Sequence, residues 1–303
     1  MALETRGPPA LPDPPDLSAL LRRFPARTAP VGGGQMQFRQ AGNTAIAPTH
    51  VLLHGIGSGS ASWVHQLHAA EHSKTHHVLA WDAPGYGHSS ALPEAEPHAS
   101  AYAARLWQWL DAMDAMDAMG AKGGTEPLTL VGHSLGCLIA ARAAVLAAKR
   151  IQQLVLLAPA QGYARASEEE RRKKLQNRLD SLATLGPQGM AQQRGSAMLS
   201  AHASSAQISF VQAVMAQINP EGYRQAAHLL AQGDLLTDLA GLACPVQVAS
   251  GSADGITPMA GCQAAANSIN APFTSLGEVG HVCALEAPAA VSQLIGLPAR
   301  SIQ

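Results

Sequence analysis

The stretch Leu128-Thr-Leu-Val-Gly-His-Ser-Leu-Gly136 decides the fold of this chain. Its first four residues form a short apolar run, which is typical of a buried strand in a parallel sheet. The run leads directly into Gly132-His-Ser-Leu-Gly136, and the alanine-rich residues 135–149 then predict a helix. A serine between two glycines at such a junction fits the G-x-S-x-G nucleophile elbow, a sharp turn that lifts the hydroxyl out of the sheet. The pattern therefore predicts that Ser134 is a nucleophile.

Similar apolar runs lie on both sides of this stretch. They predict further strands at 50–54, 77–81, 151–158, 245–250 and 272–276, and an entry strand or hairpin at 31–41. Between the strands, helical stretches are predicted at 62–71, 99–119, 259–269 and 287–295. Strands that alternate with helices at this spacing form βαβ units, so we expect an α/β fold with a mostly parallel, doubly wound sheet.

One segment interrupts this alternation of strands and helices. Residues 161–239 contain no strand-like run, and their pattern indicates several helices with breaks near Gly186-Pro187 and Asn219-Pro220. We interpret this cap segment (residues 161–239) as a helical cap inserted into a core formed by residues 31–160 and 240–303. Residues 1–30 are then an N-terminal extension, and the prolines near its start predict that it is partly disordered.

Composition and charge limit the classes of partner. The chain has 303 residues, of which 47% are hydrophobic and 14% charged, and its formal net charge is -1. This balance gives no electrostatic basis for binding nucleic acid or an anionic membrane surface, and it favours a small, mostly uncharged molecule. No apolar run reaches the length of about 18 residues that a transmembrane helix needs. The N-terminus lacks the apolar region of a signal peptide, so we expect a cytoplasmic protein of undetermined oligomeric state.

A serine hydroxyl needs a base to take its proton and an acid to orient that base. His281 follows the last predicted strand, where the base of such a triad is expected. Asp254 is the one carboxylate in the loop after the strand at 245–250. The predicted catalytic residues are therefore Ser134, Asp254 and His281. Two other carboxylates lie nearer to the histidine in sequence, but the chain order Ser…Asp…His favours Asp254 over them: Glu278 and Glu286.

The oxyanion of a tetrahedral intermediate needs two N–H donors that are already in position. The backbone N–H of Leu135, directly after the nucleophile, is one candidate. The N–H of Ile56, in the loop after the strand at 50–54, is the other, and glycines at 55, 57 and 59 let this loop approach a substrate closely. A phosphate-binding loop would need a G-K-[ST] ending or G-x-G-x-x-G spacing, and this loop has neither.

Residues close to these groups in sequence, and the apolar side of the cap segment, are candidates for lining a substrate pocket. The candidates are Trp63, His133, Cys137, Phe210, Val214 and Val282.

A stripe of histidines at helical spacing, His65, His68 and His72, could present a metal-binding face. No matching carboxylate signature accompanies the stripe, so we expect partly exposed helix residues, no metal and no cofactor. Whether the stripe binds anything stays open at this point.

Together these motifs resemble the α/β-hydrolase superfamily. The segments that carry the resemblance are His54-Gly55, Asp82-Ala-Pro-Gly-Tyr-Gly-His-Ser89, Gly132–Gly136, Gly251-Ser-Ala-Asp254 and Gly280-His-Val-Cys-Ala-Leu-Glu-Ala-Pro288. They are most similar to the bacterial group of carboxylesterases, lactonases, cofactor-free perhydrolases and meta-cleavage-product hydrolases. The resemblance spans about residues 31–298. It implies an eight-stranded sheet, a helical cap over the site, and the roles given above for the triad, Ile56 and Leu135.

Departures from the family patterns narrow the reaction. Carbon–carbon hydrolases of the meta-cleavage type usually have asparagine before the nucleophile and tryptophan after the histidine, where this chain has His133 and Val282. Epoxide hydrolases and haloalkane dehalogenases use an aspartate nucleophile, so Ser134 argues against both. The sequence therefore favours a carboxylesterase-like serine hydrolase that cleaves a small carboxylic ester, thioester or lactone through an acyl-enzyme. A carbon–carbon hydrolase, a perhydrolase and a non-catalytic ligand receptor stay open as alternatives.

Overall fold

The computed structural model describes residues 16–117 and 126–299. Within these ranges the chain forms one eight-stranded sheet with the strand order β1-β2-β4-β3-β5-β6-β7-β8. The pairs β1–β2 and β2–β4 are antiparallel, and all pairs from β4 to β8 are parallel. The predicted α/β fold with a mostly parallel sheet is thereby confirmed. The strands are β1 (Arg27–Val31), β2 (Gly34–Gly42), β3 (His50–Leu53), β4 (His77–Trp81), β5 (Leu128–His133), β6 (Ile151–Leu157), β7 (Val246–Ser250) and β8 (Phe273–Ser275).

Helices cover both faces of the sheet. They are α1 (Leu17–Arg22), α2 (Val64–Ala70), α3 (Ala99–Asp117), α4 (Leu135–Leu146), α5 (Glu168–Arg194), α6 (Ser205–Met215), α7 (Pro220–Gln232), α8 (Leu235–Ala240), α9 (Met259–Asn267), α10 (Cys283–Glu286) and α11 (Pro288–Leu294). Residues of α3, α4 and α9 pack in the hydrophobic core on one face, and residues of α1, α2, α10 and α11 pack in the core on the other. Among the described helices, none combines the length and the apolar character needed to cross a membrane.

The central strands are buried on both faces because helices cover the sheet from both sides. Every residue of β3, β4 and β5 is buried. Such strands have no polar face, and this explains why they appear in the sequence as short continuous apolar runs without alternation. Parallel neighbours also place their carboxyl ends along one edge of the sheet, where the loops after β3, β5, β6 and β7 meet.

Part of the predicted N-terminal extension pairs with the sheet and packs against the core. Strand β1 begins at Arg27 and pairs along its whole length with β2, while Leu17, Leu20 and Phe24 are buried. Because β1 lies at the edge of the sheet, it tolerates Pro30, and this proline with the flanking polar residues hides the strand from a sequence pattern. Residues 1–15, for which disorder is predicted, lie outside the described residues.

The cap segment lies between β6 and β7 and contains α5, α6, α7 and most of α8. The two breaks predicted in it coincide with real changes of backbone. Gly186, with φ 59°, bends α5 just before Pro187, and Asn219 caps α7, which begins with Pro220. The division of the chain into core and cap at 160/161 and 239/240 stays a prediction, since α8 crosses its second boundary.

The turn from β5 into α4 has no room for side chains at its two glycines. Ser134 itself has φ 54°, a left-handed conformation that costs free energy for a residue with a Cβ. A Cβ on Gly132 would lie 2.6 Å from the carbonyl oxygen of Gly136, and one on Gly136 would lie 2.4 Å from the carbonyl oxygen of Leu53. Because Gly136 has no Cβ, α4 can lie directly against the end of β3.

We expect the substitution Gly136→Ala to lower the free energy of unfolding by about 2 kcal/mol or more, since the methyl group meets backbone rather than a movable side chain. Thermal unfolding should then show a Tm lower by roughly 4–8 °C. Gly241→Ala is the matched control, because a Cβ there would have its nearest contact at 3.5 Å. If both variants unfolded at the wild-type temperature, the close approach of α4 to β3 would be contradicted.

Candidate active site

Ser134 and His281 line the same cavity, at the edge where the parallel strands end. The cavity has a volume of about 250 Å³, near the lower end of the usual range of roughly 300–1,000 Å³ for ligand sites. The serine comes from the turn after β5, and the histidine from the loop after β8. Two residues that are 147 positions apart in sequence are thus brought to one small space.

The ring of His281 forms a hydrogen bond with the carboxylate of Asp254. Its Nδ1 lies 2.9 Å from Oδ2 of Asp254, and the two side chains are 2% and 0% exposed. The loop after β7 shapes the carboxylate site, because Oδ1 of Asp254 accepts from the backbone N–H groups of Ile256 at 2.8 Å and Thr257 at 2.9 Å. With a proton on Nδ1, the imidazole leaves Nε2 as the atom that can accept a proton.

The hydroxyl of Thr257 contacts both Asp254 and His281, which the sequence did not predict. It lies 2.8 Å from Oδ2 of Asp254, 3.2 Å from Nδ1 of His281 and 3.0 Å from the carbonyl oxygen of Ala158. Burial by itself would raise the pKa of Asp254, but the hydrogen bonds from His281 and Thr257 outweigh burial and lower this pKa below its ordinary value. Asp254 is therefore a carboxylate at neutral pH.

The two competing carboxylates lie elsewhere. Glu286 accepts from the backbone N–H of Gly280 and from that of Ser200, both at 2.9 Å, and so ties the histidine loop to the cap segment. Glu278 is largely exposed and lies 3.6 Å from His202. Of the three candidate acids, Asp254 is the one in contact with His281.

The loop after β3 runs beside Ser134. A Cβ on Gly55 would lie 3.0 Å from Cβ of Ser134 and 3.5 Å from its Oγ, so the loop backbone lies against the serine side chain. Ile56 and Leu135 both line the cavity. Within residues 16–117 and 126–299, neither of their backbone N–H groups donates a hydrogen bond. Leu135 is the first residue of α4, where helix N–H groups have no acceptor within the helix.

Three side chains hold this loop in place: His54, Tyr86 and Asp82. The ring of His54 accepts from the N–H of Ala83 at Nε2, at 3.0 Å, and its Nδ1 lies 2.8 Å from the carbonyl oxygen of Gly55. The hydroxyl of Tyr86 donates to the carbonyl oxygen of Ile56 at 2.8 Å. Asp82 accepts from both the N–H and the hydroxyl of Ser60. These residues lie in segments that carry the family resemblance, but only the structure shows what they contact.

His133 is the one predicted pocket residue that lines the cavity. Its Nε2 donates to the carbonyl oxygen of His281 at 2.8 Å, and the two rings are 4.9 Å apart. Burial, with the neighbouring His281 as the next cause, lowers the pKa of His133 to about 3. The side chain is therefore neutral, and it positions the backbone of the histidine loop.

The other five pocket candidates are not among the residues that line this cavity. Cys137 is fully buried in the first turn of α4, with its thiol 3.2 Å from the carbonyl oxygen of Gly132. The remaining four are packed in or against the hydrophobic core on the α2 face of the sheet: Trp63, Phe210, Val214 and Val282. An apolar side chain that is close to a site in sequence can pack in the hydrophobic core instead of lining the pocket. These four side chains do so.

Two histidines of the stripe lie near Glu71, and the third is buried. His68 lies 3.2 Å from Glu71 and His72 lies 3.9 Å from it. His65 is buried, and burial with the nearby His68 lowers its pKa to about 4. In the part of the chain that the structure describes, no group of three or more histidine, cysteine, aspartate or glutamate residues is placed to hold a metal ion.

We expect two buried histidines of the site to be neutral with opposite tautomers. His54 accepts at Nε2 and should carry its proton on Nδ1, whereas His133 donates from Nε2. Two-dimensional ¹⁵N–¹H spectra of ¹⁵N-histidine-labelled protein at pH 7 distinguish the two forms, with His54→Gln and His133→Gln used for assignment. Finding the same tautomer at both positions would contradict the hydrogen bonds described for one of them.

The chain is similar to known proteins of one family. A family profile described as "Alpha/beta hydrolase family" matches residues 51–294. The (E)-2-((N-methylformamido)methylene)succinate hydrolase of Acinetobacter baylyi is 29% identical over 212 residues, which cover 67% of this chain and 72% of that protein. The pimeloyl-[acyl-carrier protein] methyl ester esterase of Vibrio campbellii is 29% identical over 219 residues, covering 70% of this chain and 78% of that protein.

Solved structures show the same fold. The enol-lactonase of Burkholderia xenovorans superposes with a TM-score of 0.75 at 21% identity, over 89% of this chain and 98% of that one. A thermophilic esterase of Thermogutta terrifontis superposes with a TM-score of 0.72 at 22% identity, over 89% and 96% of the two chains. The family match spans most of this chain and confirms the resemblance, and the sheet has the expected eight strands. The chain belongs to the alpha/beta hydrolase family.

Proposed function

We propose that this chain is a serine hydrolase that cleaves a small carboxylic ester, thioester or lactone through an acyl-enzyme on Ser134. One observation carries the proposal. His281, which lies 2.9 Å from Asp254, lines the same cavity as Ser134, a serine in a left-handed turn. The names of the relatives add support, since they include an esterase and a lactonase, although these names describe those proteins only.

Acylation would begin with the attack of Oγ of Ser134 on the substrate carbonyl carbon. Nε2 of His281 would take the hydroxyl proton as the new carbon–oxygen bond forms. The carbonyl oxygen becomes negatively charged, and the free N–H groups of Ile56 and Leu135 are the donors that would bind it. The first turn of α4 adds the positive end of its helix dipole at the same place.

Collapse of the tetrahedral intermediate would then release the alcohol, thiol or ring oxygen. His281 would return its proton to this leaving group, and the acyl group would stay on Ser134. A water molecule would next lose a proton to His281 and attack the acyl carbonyl, which releases the acid and restores the serine. Throughout the cycle Asp254 would stay ionised, since its lowered pKa keeps the carboxylate in place to stabilise the imidazolium.

Replacing Ser134 by Ala should lower kcat for 4-nitrophenyl acetate and butyrate by at least about 10⁴-fold, because the acyl-enzyme cannot form. A fluorophosphonate reagent should label the wild type with one equivalent and leave the variant unlabelled, as read by intact-protein mass spectrometry. Equal hydrolysis by both proteins would refute the proposal. Rapid multiple turnover by the wild type separates an enzyme from a ligand receptor, which would stop after one equivalent of product.

The choice of acid can be tested with a matched pair of variants. Asp254→Asn should lower kcat by about 10³–10⁴-fold, because the amide holds the wrong tautomer of His281 and does not stabilise its charged form. Glu278→Gln removes one negative charge from the loop that carries the histidine, and its exposed side chain contacts only His202 among the described residues. We expect this control to keep wild-type kcat. A large loss in Glu278→Gln with little in Asp254→Asn would reverse the assignment.

A further inference from the structure

The cavity beside Ser134 is lined by apolar and positively charged side chains. Most of its side chains are apolar, and three methionines belong to them: Met190, Met198 and Met215. Two arginines, Arg178 and Arg194, also line the cavity, while none of the described aspartates or glutamates does. A small apolar pocket that contains cations and no carboxylate favours a ligand with its own negative charge.

Arg178 is the better defined of the two arginines. It lies on α5, is half-buried and lines the cavity together with Tyr163 and Tyr223. In the described part of the chain, no carboxylate forms an ion pair with its guanidinium. Its positive charge therefore lies at the cavity without a paired negative charge among the described residues.

Several other arginines of this chain form ion pairs with carboxylates. Arg142 lies 2.5 Å from Asp238, Arg150 lies 2.6 Å from Asp111, and Arg165 lies 2.9 Å from Asp234. Removing a charge from water without a partner costs free energy, and a bound anion would offset that cost at Arg178. A guanidinium also presents a planar set of donors that fits a carboxylate with two parallel hydrogen bonds.

The bend in α5 makes this arrangement possible. In a straight helix, residues 178 and 194 would lie about 24 Å apart along the axis. The left-handed backbone of Gly186 and the following Pro187 divide α5 into two helical halves with a kink between them. Both arginines can therefore line a cavity of about 250 Å³. The bend thus allows the positive charges of both arginines to lie at one cavity.

We propose that this cavity selects small esters or lactones that carry a second, ionised carboxylate, which Arg178 binds while the scissile carbonyl lies at Ser134. The inference rests on the proposed function and names its substrate class. It also departs from the mostly uncharged ligand expected from the near-neutral composition. The net charge of the whole chain says little about a pocket whose lining is drawn from a few distant residues.

The first test compares two methyl esters of nearly the same shape. Monomethyl glutarate carries the carboxylate, and methyl 5-oxohexanoate carries a neutral acetyl group in its place. Wild-type kcat/KM, followed by release of methanol, should be roughly 10–100-fold higher for the anionic ester, as expected for charge-assisted hydrogen bonds. The monomethyl esters of succinate and adipate test which chain length spans the cavity. Equal kcat/KM values for anionic esters and their neutral counterparts would overturn the proposal.

The second test assigns the preference to Arg178. Arg178→Gln should reduce the ratio of kcat/KM for the anionic ester to kcat/KM for the neutral ester to within about threefold. Activity on the neutral ester shows that the variant is folded, and Arg178→Lys should keep part of the preference. Lys173→Gln removes one positive charge from the exposed side of the same helix, outside the cavity, and should behave as the wild type. A preference that survives in Arg178→Gln, or is lost in Arg194→Gln alone, would overturn the assignment.

A third measurement separates failure of the inference from failure of the proposed function. Ser134→Ala should bind monomethyl glutarate, and the double variant with Arg178→Gln should bind it at least 10-fold more weakly by calorimetry. If no ester is hydrolysed but this difference in binding is found, the anion site stands and the proposed reaction fails. If neutral esters are hydrolysed and the two Kd values agree, the anion site fails and the reaction stands.

Discussion

The candidate site depends on the close packing of backbone at the turn that contains Ser134. The N–H of Ser134 donates to the carbonyl oxygen of Leu157 at 3.0 Å, and its carbonyl oxygen accepts from Ala160 at 3.2 Å, so β6 holds the turn from one side. On the other side, the missing Cβ of Gly136 lets α4 lie against the end of β3. The left-handed conformation of Ser134 is stable because neighbouring strands hold the backbone in that position.

This packing also places Ile56 and Leu135, two cavity-lining residues whose N–H groups have no acceptor among the described residues. Since α4 lies against the end of β3, the loop that follows β3 begins next to the serine. The ring of His54 and the hydroxyl of Tyr86 then fix the carbonyl groups of Gly55 and Ile56, and the N–H of Ile56 is left without an acceptor among the described residues. Fixed donors of this kind need no rearrangement when charge develops on a substrate oxygen.

The cap segment and the loop of His281 support each other. The carbonyl oxygen of Met198 accepts from the N–H of His281 at 2.8 Å, and Glu286 joins the N–H groups of Gly280 and Ser200. Gly280 leaves room for this contact, since a Cβ there would lie 2.5 Å from the backbone nitrogen of Ser200. The segment that lines the cavity is thus the same segment that holds the backbone of the histidine.

Local sequence pattern determined the strands and helices of the core, the elbow at Ser134 and the chain order of its partners. Each of these depends on residues that are neighbours in the chain, such as the apolar run 128–131 and the glycines at 132 and 136. The contacts of Thr257 with Asp254 and His281, and the lining of the cavity, were decided only by the tertiary structure. Trp63, Phe210 and Val214 carry no mark in the sequence that distinguishes a side chain facing a pocket from one buried in the core. Arg178 in turn has the sequence context of a solvated helix. The bend at Gly186 and the packing of α5 decide that it lines the cavity, because the environment of a side chain depends on residues that are distant in the chain.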